Sequence, residues 1–444
     1  MSNLFFNNNK KFIYFKEINK LAFPIIISSL SAIFINLIDE AIIGRLSINT
    51  FAGVNLVISI INSLIGVLGV VSVAFNILGS KNKLNQNKLN SIFSTCIVIS
   101  IIIGIIFFIL TILFCKIILT SVFGLNGTAL VEATTYIKIF SLTILLNLII
   151  FVYSSVFKIF RKTTNILIVC LFINLLNSSL DFLLVFGEFG FPKLGAKGAA
   201  IGTVISLVLN IIIYHLLSKK HIQFTFKIND IKEFFLDVTK ISLPIMGQEF
   251  FEDMIFVYGI NIVITRLGVL ELSTYSLLLN IFSFLLMPMF AYSTTSITLV
   301  SESFSEDNSK KCKDISIICS SCTLIIYIIS ILIILLLNTK LPSLFTDNNN
   351  LINSFMNYIS ICSFIQIFNI IENIYKSSLQ AIGNEKWVLK NSIFINIVTL
   401  ILIFIISKNF GLFSIYILLG INYIYLSIIF FKKYKKSLSI HINN

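Results

Sequence analysis

Twelve long apolar runs constrain the fold of this chain more than any other feature. A helix needs about 20 mostly apolar residues to cross about 30 Å of hydrocarbon. Hydrophobic residues make up 57% of the 444 residues and charged residues only 12%, too apolar a balance for a water-soluble fold. Because the runs are continuous rather than alternating, the sequence predicts an all-α integral membrane protein. The predicted spans are 18–43, 51–79, 91–119, 130–157, 164–187, 195–217, 236–264, 270–302, 314–337, 352–381, 388–407 and 411–431.

The basic residues predict the orientation of these spans. Of the 33 Lys and Arg, 25 fall in the N-terminus, the even-to-odd loops and the C-terminus, a count that includes Lys376, and 8 fall on the other side. Cytoplasmic loops carry an excess of Lys and Arg. We therefore expect a multi-pass protein of the cell (inner or plasma) membrane with both termini in the cytoplasm. The net charge of +13 is explained by these loops, so no nucleic-acid partner is expected.

The two halves of the chain resemble each other. Three matches occur in order at a nearly constant offset of about 220 residues, and a parallel repeat of this kind is typical of transporters. The matching segments are Lys20-Leu-Ala-Phe-Pro24 with Lys240-Ile-Ser-Leu-Pro244, Arg45-Leu46 with Arg266-Leu267, and Phe172-Ile-Asn174 with Phe394-Ile-Asn396.

The repeat predicts two parallel six-helix bundles, residues 1–222 and 223–444, with the substrate path between them. Pro24 and Pro244 occupy equivalent places in spans one and seven, and Pro288 interrupts span eight. A proline inside a helix removes a hydrogen bond and bends the helix. These three prolines are candidate hinges, although a static bend that only serves packing remains an alternative.

Two aspartates lie deep in the first half. Asp39 and Asp181 each stand 19 residues beyond an inner lysine, about 28 Å along a helix. Asn177 shares a helix face with Asp181, and Thr203 falls at a similar depth. Oxygen ligands of this kind suit a hard cation such as Na⁺, and two close carboxylates can instead share a proton. The alternative is that each side chain bonds separately to backbone or hydroxyl groups.

The second half carries its own intramembrane acids. Span seven contains three acids in a stretch of five residues, Glu249, Glu252 and Asp253, and span ten contains Glu372. They are candidates for ion coupling or for attracting a cationic substrate. Lys376 follows Glu372 by four residues, so a structural salt bridge on one helix is an equal alternative.

Several motifs in order resemble the multidrug and toxic compound extrusion (MATE) family over nearly the whole chain. The resemblance implies V-shaped halves around a central cavity and drug or cation antiport. The motifs are Pro24 with Asn36-Leu-Ile-Asp39, Gly44-Arg45-Leu46, Asn177-Ser-Ser-Leu-Asp181, Leu194-Gly195 to Thr203, Leu243-Pro244 to Glu252, Arg266-Leu267-Gly268 and Leu379 to Lys386.

The resemblance also implies roles for individual residues. The ion- or proton-binding positions of DinF-type members correspond to Asp39, Asn177, Asp181 and Thr203. The NorM-type acid of span seven corresponds to Glu252, but its partner in span ten is Asn369 here, a departure that puts that site in doubt. The family's usual Leu-Arg-Gly ending of span four is replaced by Phe157-Lys-Ile-Phe160-Arg161.

These observations predict a secondary antiporter that exports amphipathic, often cationic, drug-like compounds in exchange for Na⁺ or H⁺. No cofactor beyond the coupling ion is expected, the partners are small molecules and the lipid bilayer, and a monomer is a sufficient unit. A lipid-linked oligosaccharide flippase of a related fold is the alternative, disfavoured because the intramembrane charges are mostly acidic. An enzyme is not expected, since HExxH and Walker A motifs are absent from the sequence.

Overall fold

The computed structural model describes the backbone of residues 2–337 and 340–443, and the side chains between residues 10 and 440 except those of 49, 338, 339 and 344. In these ranges all regular structure is helical. The α-helices are α1 (Ser2–Gly44), α2 (Ile48–Leu68), α3 (Val71–Lys81), α4 (Gln86–Ile117), α5 (Gly127–Phe140), α6 (Leu142–Ile159), α7 (Thr163–Phe186), α8 (Ala196–Ser218), α9 (Ile228–Glu249), α10 (Val257–Thr265), α11 (Val269–Leu285), α12 (Met287–Ser305), α13 (Ser309–Leu337), α14 (Asn349–Ala381) and α15 (Glu385–Asn443). Two π-helical segments, Ile118–Val122 and Phe250–Phe256, and two 3₁₀ turns, Glu188–Gly190 and Pro342–Leu344, complete the set.

The prediction of an all-α membrane protein is confirmed. Nine helical segments of the described chain are long and apolar enough to cross a membrane, or ten when the bent pair α11 and α12 is taken as one span. The ten segments become twelve spans when two further features of the structure are considered. The seventh consists of α9, a π-helical segment and α10, and the eleventh and twelfth both lie within α15. The helices are thus consistent with a twelve-span layout.

Helix α15 is a hairpin rather than one rod. Gly411 has φ 62° and ψ −155°, a backbone conformation that is essentially restricted to glycine. Across the turn, the Asn422 Nδ2 donates to Asn396 Oδ1 at 2.9 Å and to Thr399 Oγ1 at 2.8 Å. Residues on either side of Gly411 therefore pack antiparallel, as two separate spans require.

The helices of spans seven and eight are interrupted. Helices α11 and α12 meet at an angle of 47°, and Pro288 is the second residue of α12. Pro24 lies inside α1 and Pro244 inside α9. The segment Phe250–Phe256 is π-helical, and such bulges occur often at functional sites. The sequence did not predict this bulge, although it contains two of the candidate acids.

The described residues group into two compact units. One unit contains residues 1–26 and 243–444, and the other contains residues 27–242. Each has its own core: Phe251, Tyr327 and Phe355 belong to the first, and Phe75 and Phe93 belong to the second. The repeat boundary at 222 and 223 is a sequence boundary and stays a prediction.

The basic segment that follows α8 is hydrogen-bonded to α4, in the unit of residues 27–242. The Thr225 amide donates to Ser94 Oγ at 2.9 Å, and Ser91 Oγ donates to Asp230 Oδ2 at 2.7 Å. These bonds attach the basic connecting stretch to α4. They explain why this unit extends beyond the first repeat, to residue 242.

Candidate functional site

A cavity of about 440 Å³ lies inside the unit of residues 27–242. Helices α1, α2, α5, α6, α7 and α8 contribute its walls. The four predicted ion-site residues of the first half, Asp39, Asn177, Asp181 and Thr203, all line this cavity. The polar residues of the wall are Asn36, Asp39, Glu40, Asn62, Tyr136, Thr143, Asn147, Ser154, Cys170, Asn174, Asn177, Asp181, Thr203, Ser206, Asn210 and Tyr214.

The two aspartates are held by neighbouring side chains of α7. Asp181 is 1% exposed, and its Oδ1 accepts a hydrogen bond from Asn177 Nδ2 at 3.1 Å, as expected for residues four apart on a helix. Asp39, half-buried on α1, accepts from Ser178 Oγ at 3.4 Å. A buried carboxylate needs a partner, and each of these has one neutral donor. Neither aspartate has a salt bridge among the described side chains.

Two glycines of α8 let it approach α7 closely at this cavity. A Cβ at Gly198 would stand 2.5 Å from the Leu184 carbonyl oxygen, and a Cβ at Gly202 would stand 2.3 Å from Asp181 Oδ1. Small residues four apart allow helix backbones in membranes to pack at short range. Gly202 therefore leaves the volume that the Asp181 carboxylate occupies.

Sequence reasoning missed a polar stripe on α8. Ser206 and Asn210 follow Thr203 at helical spacing on the same face, and all three line the cavity. The Ser206 Oγ and Asn210 Oδ1 atoms are buried and make no hydrogen bond to the described part of the chain. Buried polar atoms of this kind are normally satisfied by water or a ligand. The stripe was visible in the sequence as polar residues at intervals of three and four in an apolar span.

The cavity also contains an acid and a phenol that were not predicted as site residues. Glu40 follows Asp39 on α1 and lines the same space, and Tyr136 of α5 lies 2% exposed in its wall. The cavity therefore contains three carboxyl groups, although in the described chain no three His, Cys, Asp or Glu side chains form a metal-binding group. A cation held by Asp39 and Asp181 would depend on neutral oxygens, such as those of Asn177 and Thr203, for its remaining ligands.

A second cluster of charges lies in the other unit. Lys376 Nζ of α14 forms a salt bridge at 2.9 Å with Glu252 Oε2 of the π-helical segment. Gln248 Nε2 donates to Glu252 Oε1 at 3.0 Å, and Gln380 Nε2 donates to Gln248 Oε1 at 3.2 Å. The salt bridge and the amide chain together link α9 to α14. This network was not predicted, because its partners are more than 120 residues apart.

The predicted acids of the second half have different surroundings. Glu249 and Glu372 interact electrostatically with Lys376, and Glu372 is 5% exposed. Asp253 is exposed. Asn369 lies in an amide ladder on its own helix, donating to Gln366 Oε1 at 2.6 Å and accepting from Asn373.

The placement of Lys376 corrects one element of the charge count. The sequence count takes Lys376 as a cation of an inner loop, but its side chain is 10% exposed and lies within the acid cluster. The ion pair seen for Lys376 is with Glu252 of a different helix, rather than with Glu372 one turn away.

Comparison with known proteins gives a family match. The family model described as MatE matches residues 24–183 and 244–405, once in each half of the chain. The uncharacterized transporter YisQ of Bacillus subtilis is 25% identical over 280 residues, which are 60% of this chain and 60% of that protein. The probable multidrug resistance protein NorM of Thermotoga maritima is 30% identical over 200 residues, 43% of this chain and 41% of that protein. The matched part therefore spans less than two thirds of these relatives.

Solved structures show the same fold. A MOP superfamily transporter from Pyrococcus furiosus superposes with a TM-score of 0.87 at 17% identity, covering 96% of each chain. An outward-facing MATE family multidrug resistance transporter superposes with a TM-score of 0.86 at 17% identity, again over 96% of each chain. At this identity the likeness concerns the arrangement of the helices alone.

Proposed function

The chain belongs to the MatE family, whose members are transporters rather than enzymes, and we propose that it is a secondary multidrug efflux antiporter of the cell membrane. It exports amphipathic, often cationic, organic compounds in exchange for Na⁺ or H⁺. The termini lie in the cytoplasm, in agreement with the excess of Lys and Arg on that side. The names of the related multidrug resistance proteins support the choice of cargo.

One observation carries the proposal: the cavity with Asp39 and Asp181 in its wall. A carboxylate within the hydrocarbon region costs several kcal/mol and marks an ion or proton pathway in membrane proteins. Both aspartates have neutral donors as partners and no salt bridge among the described side chains, so their charge is available to an inward-moving cation. We assign the coupling ion to this site, with Asn177 and Thr203 completing its surroundings.

The cluster around Glu252 has a different role in this proposal. The Glu252 Oε2 atom is paired with the Lys376 ammonium at 2.9 Å. This ammonium occupies the position that a free cation would need in order to bind Glu252. We therefore assign the Glu252–Lys376 pair to the stability of its unit. The remaining acids of the cluster, Glu249 and Glu372, lie beside this pair and stay candidates for attracting cationic cargo.

Two of the prolines stand where the chain passes between the compact units. One boundary falls between residues 26 and 27, within three residues of Pro24, and the other falls between residues 242 and 243, next to Pro244. A helix weakened by a missing hydrogen bond is suited to bending at these crossings. We propose Pro24 and Pro244 as hinges and Pro288 as a fixed bend of span eight.

Transport into inverted vesicles tests the proposal. Purified protein is reconstituted, ethidium is added outside, and either a Na⁺ gradient or a pH gradient is imposed alone, with the high concentration in the lumen. Uptake driven by Na⁺ alone identifies a sodium antiporter, and uptake driven by an acidic lumen alone identifies a proton antiporter. Absence of ethidium uptake under both gradients would contradict the proposed function.

Replacing Gly202 with alanine is expected to impair coupled transport without unfolding the protein. The new Cβ would stand 2.3 Å from Asp181 Oδ1, so the carboxylate must move. Misplacing a reacting group by about 1 Å can cost 10²-fold, and we expect gradient-driven efflux to fall at least about tenfold. The measurement is the initial rate of ethidium uptake at equal amounts of folded protein.

Gly66 provides the matched control for Gly202. It is also a helical glycine of the unit of residues 27–242, but a Cβ there would meet nothing within 4 Å. Gly66→Ala should keep the wild-type rate and, because the added Cβ has space there, stabilise α2 by roughly 0.5–1 kcal/mol. Equal rates for the two variants would show that the Asp181 position is not critical.

A further inference from the structure

The unit that contains residues 243–444 has a second, smaller cavity of about 140 Å³, formed within that unit by α10, α11, α14 and α15. Its wall is mainly apolar and combines aliphatic side chains with aromatic rings, among them those of Phe256, Tyr275, Phe282 and Tyr416. A cavity of about 150 Å³ lined by apolar side chains is large enough to bind benzene. The space therefore suits one aromatic ring.

One polar atom in this wall, the Tyr416 hydroxyl, has only the Cys362 thiol as a weak partner. Tyr416 is 6% exposed, and its hydroxyl makes no hydrogen bond to a nitrogen or oxygen atom of the described part of the chain. Its polar neighbour is the Cys362 thiol, which is a weak acceptor. A buried hydroxyl that stays unpaired is costly, so a ligand that offers an acceptor would gain by pairing with it.

A second donor borders the same cavity. Gln366 lines the wall, and its Oε1 accepts from Asn369 at 2.6 Å. With the oxygen engaged, the amide nitrogen of Gln366 is the group left to donate. The cavity thus presents ring faces together with the Tyr416 hydroxyl as a hydrogen-bond donor, and the complementary ligand is an aromatic ring with a neutral acceptor atom.

We propose that this cavity is a binding site for a planar aromatic group that carries a hydrogen-bond acceptor, packed against the side chains of Tyr275 and Tyr416 on one wall and bonded to the Tyr416 hydroxyl. It is a site separate from the carboxylate cavity and goes beyond the proposed antiport. A lipid acyl chain is the competing occupant, since Val257 and Leu279 of the wall are exposed on the unit. An acyl chain has no acceptor for the hydroxyl, which favours the aromatic ligand.

Pyridine and benzene test this proposal, because they have the same shape and differ in one acceptor nitrogen. The full-length protein in detergent is titrated with each at pH 8, and its thermal unfolding is followed by the fluorescence of Trp387, the single tryptophan. A ligand that binds the folded state raises the unfolding midpoint, and the stabilisation grows with the logarithm of the ligand concentration divided by Kd. We expect pyridine to bind about threefold to tenfold more tightly than benzene, the effect of one neutral hydrogen bond.

Two variants make the test specific. Tyr416→Phe should abolish the preference for pyridine while benzene still binds, and Cys362→Leu, which fills the cavity, should weaken both ligands. Equal binding of both ligands by the wild type, or a preference that persists in Tyr416→Phe, would overturn the proposal. Added lipid provides a further test. If lipid suppresses the binding of pyridine and benzene to the same extent in the wild type and in Tyr416→Phe, the cavity is assigned to an acyl chain. The readout is binding in detergent, so failure of antiport would not affect it.

Discussion

Asp39→Asn is expected to abolish gradient-driven efflux while the protein stays folded. Asparagine has the same size and can still accept the hydrogen bond of Ser178, which lies 3.4 Å from the carboxylate, so local structure should be kept. The change removes the charge that a cation or proton needs. A hydrogen bond to a charged group contributes about 1.5–3 kcal/mol, so affinity for the ion should fall by roughly 10- to 100-fold. Ethidium uptake in vesicles under each gradient is the measurement.

Asp237→Asn is the matched control for this substitution. That carboxylate lies 3.8 Å from Lys240 with 55% of its side chain exposed, outside the cavity. Its replacement should leave the rate and its ion dependence unchanged. Export at the wild-type rate by Asp39→Asn would contradict the assignment of the coupling site, whatever the control does.

Lys376→Met is expected to cause the largest loss of stability. The ammonium is 2.9 Å from Glu252 Oε2 and interacts with Glu249 and Glu372, and its side chain is 10% exposed, less than the 18% of Glu252. Removing one partner of a buried pair leaves uncompensated charge and costs about 3–5 kcal/mol. Methionine keeps the length and the apolar stem, so the loss would reflect the charge. The free energy of unfolding in mixed micelles is the measurement.

Two companion variants interpret the Lys376 result. Lys311→Met breaks the 3.2 Å pair with Glu306, which is 46% exposed, and should cost less than about 1 kcal/mol because exposed pairs contribute little. The double variant Glu252→Gln and Lys376→Met should recover part of the loss. A Lys376→Met protein as stable as the wild type would show that the pair does not hold α9 to α14.

The length and location of the spans could be predicted from sequence because they depend on local composition. An apolar run of more than 20 residues has few alternatives to a membrane helix. The break between spans eleven and twelve was predicted at residues 408–410, and the structure turns at the adjacent Gly411, in a backbone conformation essentially restricted to glycine. By contrast, the π-helical segment around Glu252 depends on packing between helices, and no local sequence pattern predicted it.

The candidate site was predicted in part. Asp39, Asn177, Asp181 and Thr203 were found from depth and helical spacing, and all four line one cavity. Gly202 lies within the motif from Leu194 to Thr203, and sequence reasoning assigned it no role of its own. Its role appears when the distance from its missing Cβ to Asp181 is known, because that distance joins two helices.

By itself, the sequence determined that this protein is a bundle of membrane helices with intramembrane acids in both halves, since apolarity and helical rise are properties of each segment alone. Only the tertiary structure decided which acids have partners. Lys376 reaches Glu252, 124 residues earlier in the chain, whereas Asp39 and Asp181 have only neutral donors. The physical reason is that an ion pair in lipid forms between whichever side chains packing brings within about 4 Å, and packing is a property of several helices together.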